Sequence, residues 1–229
     1  MKKLLLVLLS FCMVSAAVAK KKKGNDNTVV IETEYGNMTV QLFDNTPKHR
    51  DNFIKITKDG FYDSTLFHRV IPQFMIQGGD PESKNAAPGT PLGGGDIGYR
   101  IDAEINDTNF HRYGALAAAR DNNPNKSSSG CQFYIVVGKK YTDAELDNLT
   151  QRTGRVYTAA QREVYKTLGG TPQLDGSYTV YGQVTEGMDV AEKIIMEPRN
   201  AMDRPDKDIR MKVKMADGKK IKKKKDKKK

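Results

Sequence analysis

No tryptophan occurs in the 229 residues, and cysteine and histidine are nearly as scarce, at two and three. Cys12 lies in an apolar leader. Once that leader is removed Cys131 stands alone, so the mature chain forms no internal disulfide even in an oxidising compartment. Packing has to hold the fold. His49, His68 and His111 do not fall at metal-ligand spacing, and a lone cysteine cannot start a zinc site, so neither a metal nor any other cofactor is expected. Cys131 has no nucleophile signature around it, and a small buried thiol is the commoner use of such a residue. The glycines of Pro91-Leu92-Gly93-Gly94-Gly95-Asp96 are not followed by the Gly-Lys-Ser/Thr of a phosphate loop. They read as a flexible loop beside a site.

Long apolar runs are also rare. The one that occurs, Leu4 to about Val18, follows two lysines and ends in Ala17-Val18-Ala19 before Lys20. That is the three-part pattern of a secretory signal over 1–19, cleaved after Ala19. The alternative, an uncleaved anchor, would need a run of about 20 residues. An exported protein, periplasmic or secreted, is therefore expected. The formal charge of +10 is unevenly spread: a basic linker over 20–27 and a Lys-rich tail over 216–229 flank a mildly acidic body. Such lysine runs repel themselves and stay solvated, offering weak contact with anionic surfaces. The C-terminal run contains no aromatic residue, so it has no platform for stacking single-stranded nucleic acid, and no specific nucleic-acid partner is expected.

Between these ends the chain is long enough for one core. TVVIETEYGNMTVQLF, ending at Phe43, alternates around Tyr35-Gly36-Asn37 as a hairpin. Thr46-Pro47 offers an N-cap and a first-turn proline, and Gly60 a stop; the helix between turns Phe53, Ile54 and Ile56 inward. Short β-rich segments follow near 65–70, 74–78, 97–101, 114–119, 131–137 and 178–184, with a second helix from Met188 to Ile195 and a last strand from Ile209. This rhythm indicates an antiparallel sandwich or barrel. One segment departs from it. Thr142-Glu145 and Thr158-Gln161 have capping-box spacing, and Val156, Ala160, Val164 and Leu168 recur at helical spacing up to Gly169-Gly170, so 142–168 reads as a helical insertion.

The segments FHRVIPQFMIQGGD (from Phe67), GALAAARDNNPNKSSSGCQFYIVV (from Gly114) and LDGSYTVYGQV (from Leu174) together resemble the cyclophilin family of peptidyl-prolyl isomerases. The resemblance spans 28–215 apart from the insertion. It implies a mainly β fold, a closed antiparallel eight-stranded barrel capped by two helices, acting as a monomer without a cofactor. It also implies a site. Arg69 matches the catalytic arginine, supported by Gln77. Phe74, Met75, Tyr134 and Leu174 match the apolar walls of a proline pocket, Gln132 a polar group facing the substrate backbone, and Ala119 and Arg120 the edge that holds the peptide main chain. Tyr178 stands where a histidine is common, Gln173 where many members carry tryptophan, and Arg120 where asparagine is frequent. These departures flank the pocket and bear on substrate preference and cyclosporin affinity.

The chemistry of the residues fits that role. Rotation about an X-Pro bond is slow because amide resonance gives C–N double-bond character, with a barrier of about 18–20 kcal/mol. Guanidinium cannot act as a base in a protein, but it is a permanent donor. Aimed at a prolyl nitrogen as that atom pyramidalises, it stabilises the twisted state over the planar ones. The expected partners are proline-containing unfolded or extended polypeptides. Two other readings remain open: a proline-peptide binding module with little turnover, and a carrier whose basic tails attach it to an envelope or polyanion.

Overall fold

The computed structural model describes residues 27–216. The leader, nearly all of the basic linker and the Lys-rich tail, on which the export and attachment expectations fall, lie outside the described residues. β1 (Thr28–Thr33) and β2 (Gly36–Leu42) form the expected hairpin, with Thr33 opposite Gly36. Its alternate residues Val29, Ile31, Met38, Val40 and Leu42 are buried, as the period of two requires. Gly36 has φ +127°, and a Cβ there would lie 2.9 Å from Val190, so the turn admits only glycine.

α1 (Pro47–Lys58) starts where Pro47 predicts, but Thr46 gives it no side-chain cap. The Glu104 carboxylate takes that place, accepting the N–H groups of Lys48 and His49 at 3.0 and 2.9 Å. An anion at this end satisfies orphan donors and meets the positive pole of the helix. Phe53 and Ile56 are buried and Ile54 is half-buried.

The remaining strands are β3 (Phe67–Ile71), β4 (Met75–Gly78), β5 (Arg100–Ile101), β6 (Ala115–Ala118), β7 (Ser128–Ser129), β8 (Phe133–Val136), β9 (Val180–Glu186) and β10 (Met211–Met215). Of the ten strands described, eight build one antiparallel sheet in the order β10-β1-β2-β9-β6-β8-β4-β3, while β5 and β7 pair separately. The sheet is an open half-barrel, and the closed ladder expected from the sequence is not formed. At its edges β3 and β10 share no ladder, and an isolated bridge joins Leu66 to Arg210. The physical reason lies along β3. Its register shifts between Phe67 and Arg69, and the next free N–H, that of Val70, donates to the Asp203 carbonyl at 2.9 Å. The Asp203 loop therefore covers this part of the β3 edge.

Period-two alternation divides the sheet into two apolar faces. Val70, Ile76, Leu116, Ala118, Phe133 and Ile135 point into the main core, where α1 and α4 (Met188–Ile194) supply Phe53, Ile56, Val190 and Ile194. Met75, Ala115, Ala117, Tyr134, Val136 and Val180 form a second cluster on the opposite face.

The insertion comprises α2 (Asp143–Thr153) and α3 (Ala159–Thr167), each opened by the capping box its sequence predicts. Its stems are pinned together: Lys139 N–H donates to the Gly170 carbonyl and Gly170 N–H to the Lys139 carbonyl, at 3.2 and 3.0 Å. Gly170, with φ +150°, packs so closely on the His111 carbonyl that a Cβ would collide with it. The apolar residues that recur at helical spacing here do not form the buried face. Val156 precedes the helix, and both it and Leu168 are exposed, whereas Tyr157, Gln161 and Tyr165 are buried. Tyr165 has the larger apolar area to hide, and its hydroxyl finds a buried partner, so it determines which face turns in. With Leu146, Leu149 and Tyr157 it makes a third, small core.

Candidate active site

The strand register aligns the candidate residues before any side-chain contact is considered. Arg69 lies opposite Gln77, Gln77 opposite Tyr134, and Tyr134 opposite Ala117. One row thus crosses β3, β4, β8 and β6 on the face away from the main core, where such cross-strand neighbours come within about 4.5–5.5 Å. Phe74 and Met75, consecutive in sequence, both turn to this face. Phe74 belongs to the turn before β4, where Gln73 takes φ +59°, and its carbonyl accepts the N–H groups of Val137 and Gly138.

Arg69, Phe74, Met75, Gln77, Ala119, Arg120, Tyr134, Leu174 and Tyr178 line a single hollow of about 170 Å³. This is room for one small side chain rather than for a drug-sized ligand, for which about 300 Å³ is the lower end. Met75 and Tyr134 form its buried floor, and Leu174 enters from a short 3-10 turn, Pro172–Leu174. Tyr178 packs edge-on to Tyr134 with ring centroids 6.0 Å apart. The Arg120 guanidinium lies 4.6 Å from the centre of the Tyr178 ring and donates to the carbonyls of Ser177 and Asp121. A cation over this ring stiffens the rim.

Gln132 lines the adjoining polar hollow of about 280 Å³, with Gly93, Gly94, Gly95 and Arg100. Its amide accepts from Gln77 at 3.1 Å and donates to the carbonyls of Gly93 and Gly95 at 3.0 and 2.9 Å. The glycine-rich loop does lie beside the site, and Asp80 ties it down by accepting from Gly93 and Gly95. The two residues of the expected main-chain edge differ. Ala119 uses its N–H on Gln132 and its carbonyl on Ser129, whereas among the described residues no backbone hydrogen bond engages the N–H or carbonyl of Arg120. Of the two, Arg120 has backbone groups available for a peptide.

Arg69 has 44% of its side chain exposed, and its ion-pair partner among the described residues is Asp203, 3.8 Å from Nε. Gln77 is its ladder neighbour but turns its amide towards Gln132. The sequence offered no sign of Asp203, which reaches the site through a loop more than a hundred residues away. Asp203 also pairs with Arg199 at 3.2 Å.

A second feature invisible in the sequence underlies the floor. His111 Nε2 lies 2.9 Å from the Tyr134 hydroxyl, and His111 Nδ1 lies 2.8 Å from Asp175, which also accepts the His111 backbone N–H at 2.9 Å. The other Asp175 oxygen accepts from the Tyr165 hydroxyl of α3 at 2.6 Å. Burial, and then the Asp175 charge, push the Tyr165 pKa far up, so this phenol stays a donor. A hydrogen-bonded chain thereby connects the insertion to the wall of the hollow.

The other candidate groups are arranged as structure rather than as nucleophiles. His49 is held between Glu104 and Ser128 in the interior. His68 is buried with neither ring nitrogen hydrogen-bonded, and desolvation lowers its pKa to about 4. Burial raises the Cys131 thiol to about 11, which leaves almost no thiolate near neutrality.

A small hollow with Met75 and Tyr134 as its floor, a half-exposed arginine in its lining and free backbone groups at its edge thus lie together on one face of the sheet. Comparison with known proteins specifies the class of protein. Residues 28–215 match the family model for cyclophilin type peptidyl-prolyl cis-trans isomerase/CLD. A putative peptidyl-prolyl cis-trans isomerase of Staphylococcus epidermidis is 38% identical over 192 residues, covering 83% of this chain and 91% of that one. A putative bifunctional phosphatase/peptidyl-prolyl cis-trans isomerase of Streptococcus pyogenes is 38% identical over 187 residues, 79% of this chain and 37% of that protein. Among solved structures, a Cryptosporidium parvum cyclophilin type peptidyl-prolyl cis-trans isomerase, crystallised in the presence of the dipeptide Ala-Pro, superposes with a TM-score of 0.59 at 25% identity, covering 83% of this chain and 99% of that one. The chain belongs to the cyclophilin-type peptidyl-prolyl cis-trans isomerase family.

Proposed function

We propose that this chain isomerises X-Pro bonds in unfolded or extended segments of exported proteins, with Arg69 stabilising the twisted amide. The observation that carries this reading is the position of Arg69 in the wall of the hollow floored by Met75 and Tyr134, with its side chain partly open to solvent. A prolyl ring seated on Met75 and Tyr134 brings its nitrogen towards that donor, while the free N–H and carbonyl of Arg120 hold the neighbouring main chain. Binding that grips the ring but donates only as the nitrogen becomes pyramidal is stronger in the transition state than in the ground state. Shortening about 100 s to about 10 ms takes four decades, or roughly 5.5 kcal/mol. One charged donor and an apolar clamp are of the right order for that.

The test is a protease-coupled measurement of cis-to-trans conversion in a proline tetrapeptide. Turnover supports the isomerase, whereas retention of the peptide without turnover supports a binding module. Export rests on the leader pattern at Met1 to Ala19. Intact mass of the extracytoplasmic protein is expected to place Lys20 first, and a mature form retaining the leader would refute the cleavage.

A further inference from the structure

A groove larger than the proline hollow lies beside it. With a volume of about 650 Å³, it runs between α2 and the Pro172–Leu174 turn, lined in part by Lys139, Tyr141, Glu145, Leu149, Arg152 and Gln173. It is lined by α2 of the insertion and by the segments that lead into it and out of it, at Lys139, Tyr141 and Gln173. Gln173 lines this groove and the next residue, Leu174, lines the proline hollow, so the two lie next to each other across one peptide unit. The junction is held firmly, because the Tyr141 hydroxyl donates to Gln173 Oε1 at 3.1 Å.

The charges in the groove do not cancel. Glu145 receives Lys139 Nζ at 2.6 Å and the Thr142 N–H at 2.8 Å, and these bonds hold its carboxyl down at about 2. Its charge is matched by Lys139. The side chain of Arg152, exposed in the last turn of α2, has no ion pair or hydrogen bond among the described residues. An uncompensated cation thus lines the groove, whereas the other cation, Lys139, lies over the Tyr141 ring and pairs with Glu145.

We propose that this groove is an extended subsite for the substrate polypeptide, taking the flank that leaves the proline hollow over Gln173 and favouring an acidic side chain opposite Arg152. The assignment rests on the isomerase reading. Adjacency to the hollow identifies the occupant, since an extended chain whose proline sits against Leu174 and which passes over Gln173 has to enter the groove. The polar hollow beside Gln132 receives the opposite flank, so the insertion lengthens the site on one side only.

The experiment uses long peptides with one central proline in which a single glutamate or lysine is walked along both flanks, with kcat/KM read by exchange NMR for wild type, Arg152→Ala and Arg152→Glu. Glutamate should exceed lysine by about three- to fivefold at one position on one flank, the size of an exposed charge pair. The preference should vanish in Arg152→Ala, invert in Arg152→Glu, and fade at high salt. A proline tetrapeptide, too short to reach the groove, should be turned over equally by all three proteins, which also certifies their folding. Tetrapeptide turnover with no charge preference, or with one that survives Arg152→Glu, would overturn the subsite while leaving the isomerase standing. Absence of tetrapeptide turnover in wild type would instead overturn the isomerase reading on which it rests.

Discussion

Tyr165→Phe tests the chain of hydrogen bonds beneath the hollow most cleanly, because it removes one hydroxyl and leaves the ring. The ring contacts with Phe110, Tyr141 and Tyr157 persist. What is lost is a 2.6 Å bond to Asp175, whose side chain is only 1% exposed. Hydrogen bonds to a charged acceptor contribute about 1.5–3 kcal/mol. Both bonds from His111 fall on Oδ1, so the carboxylate stays paired while its buried Oδ2 loses its hydrogen bond, which puts the cost towards the upper end of that range. Urea unfolding should therefore show a loss of about 1.5–3 kcal/mol with an unchanged m-value. Tetrapeptide turnover should stay within about twofold, since Tyr134 is still held in the β8 ladder and by His111. A loss below about 0.5 kcal/mol would show that the chain does not anchor the insertion. A tenfold loss of turnover at unchanged stability would show that Tyr165 acts on the reaction instead.

Replacing 142–168 by a short Gly-Ser link should leave a folded barrel, because the Lys139–Gly170 stem remains paired, but one destabilised by more than Tyr165→Phe and altered in preference for residues flanking proline; an unfolded product by circular dichroism would make the helices part of the core. His68 is neutral and buried with a pKa of about 4 against 6.5 unfolded, so the unfolded chain binds more protons between those values and stability is present above pH 6.5 and lost as pH falls towards 4. The loss from this group is about 3 kcal/mol, and the profile of unfolding free energy should flatten in a folded His68→Gln variant; an unchanged slope would assign the acid lability elsewhere. Asp203→Asn, at a partly exposed pair 3.8 Å long, should change kcat/KM by less than about fivefold, and a larger effect would make Asp203 a principal positioner of Arg69.

The parts of the fold written in local pattern could be read from the sequence. The hairpin, α1 and the capping boxes of α2 and α3 follow from spacing alone. Features made by distant partners could not be read that way. Thr46 looks like a cap, but Glu104 arrives from elsewhere and does the capping. The barrel edge is covered by the Asp203 loop rather than closed as a ladder, and α3 turns inward the face whose tyrosine finds Asp175. The same division holds in the site. Nine of the candidate residues line one hollow and Gln132 the next, but the groups beside them, Asp203 on Arg69 and His111 on Tyr134, come from segments with no motif to mark them.

The central claim is that the Arg69 guanidinium, not the hollow alone, lowers the barrier to prolyl rotation. Arg69→Ala should keep the fold, because Asp203 retains its pair with Arg199 and no buried charge is left alone. Exchange NMR on a proline peptide, with circular dichroism as the folding control, should show kcat/KM lowered by about ten- to a hundredfold, equivalent to about 1.4–2.8 kcal/mol of transition-state stabilisation. Peptide affinity should fall less, since Phe74, Met75, Tyr134 and Leu174 still form the pocket. Arg69→Lys should recover little, as a flexible point charge does not reproduce the planar fork. Wild-type turnover in a folded Arg69→Ala protein would contradict the account.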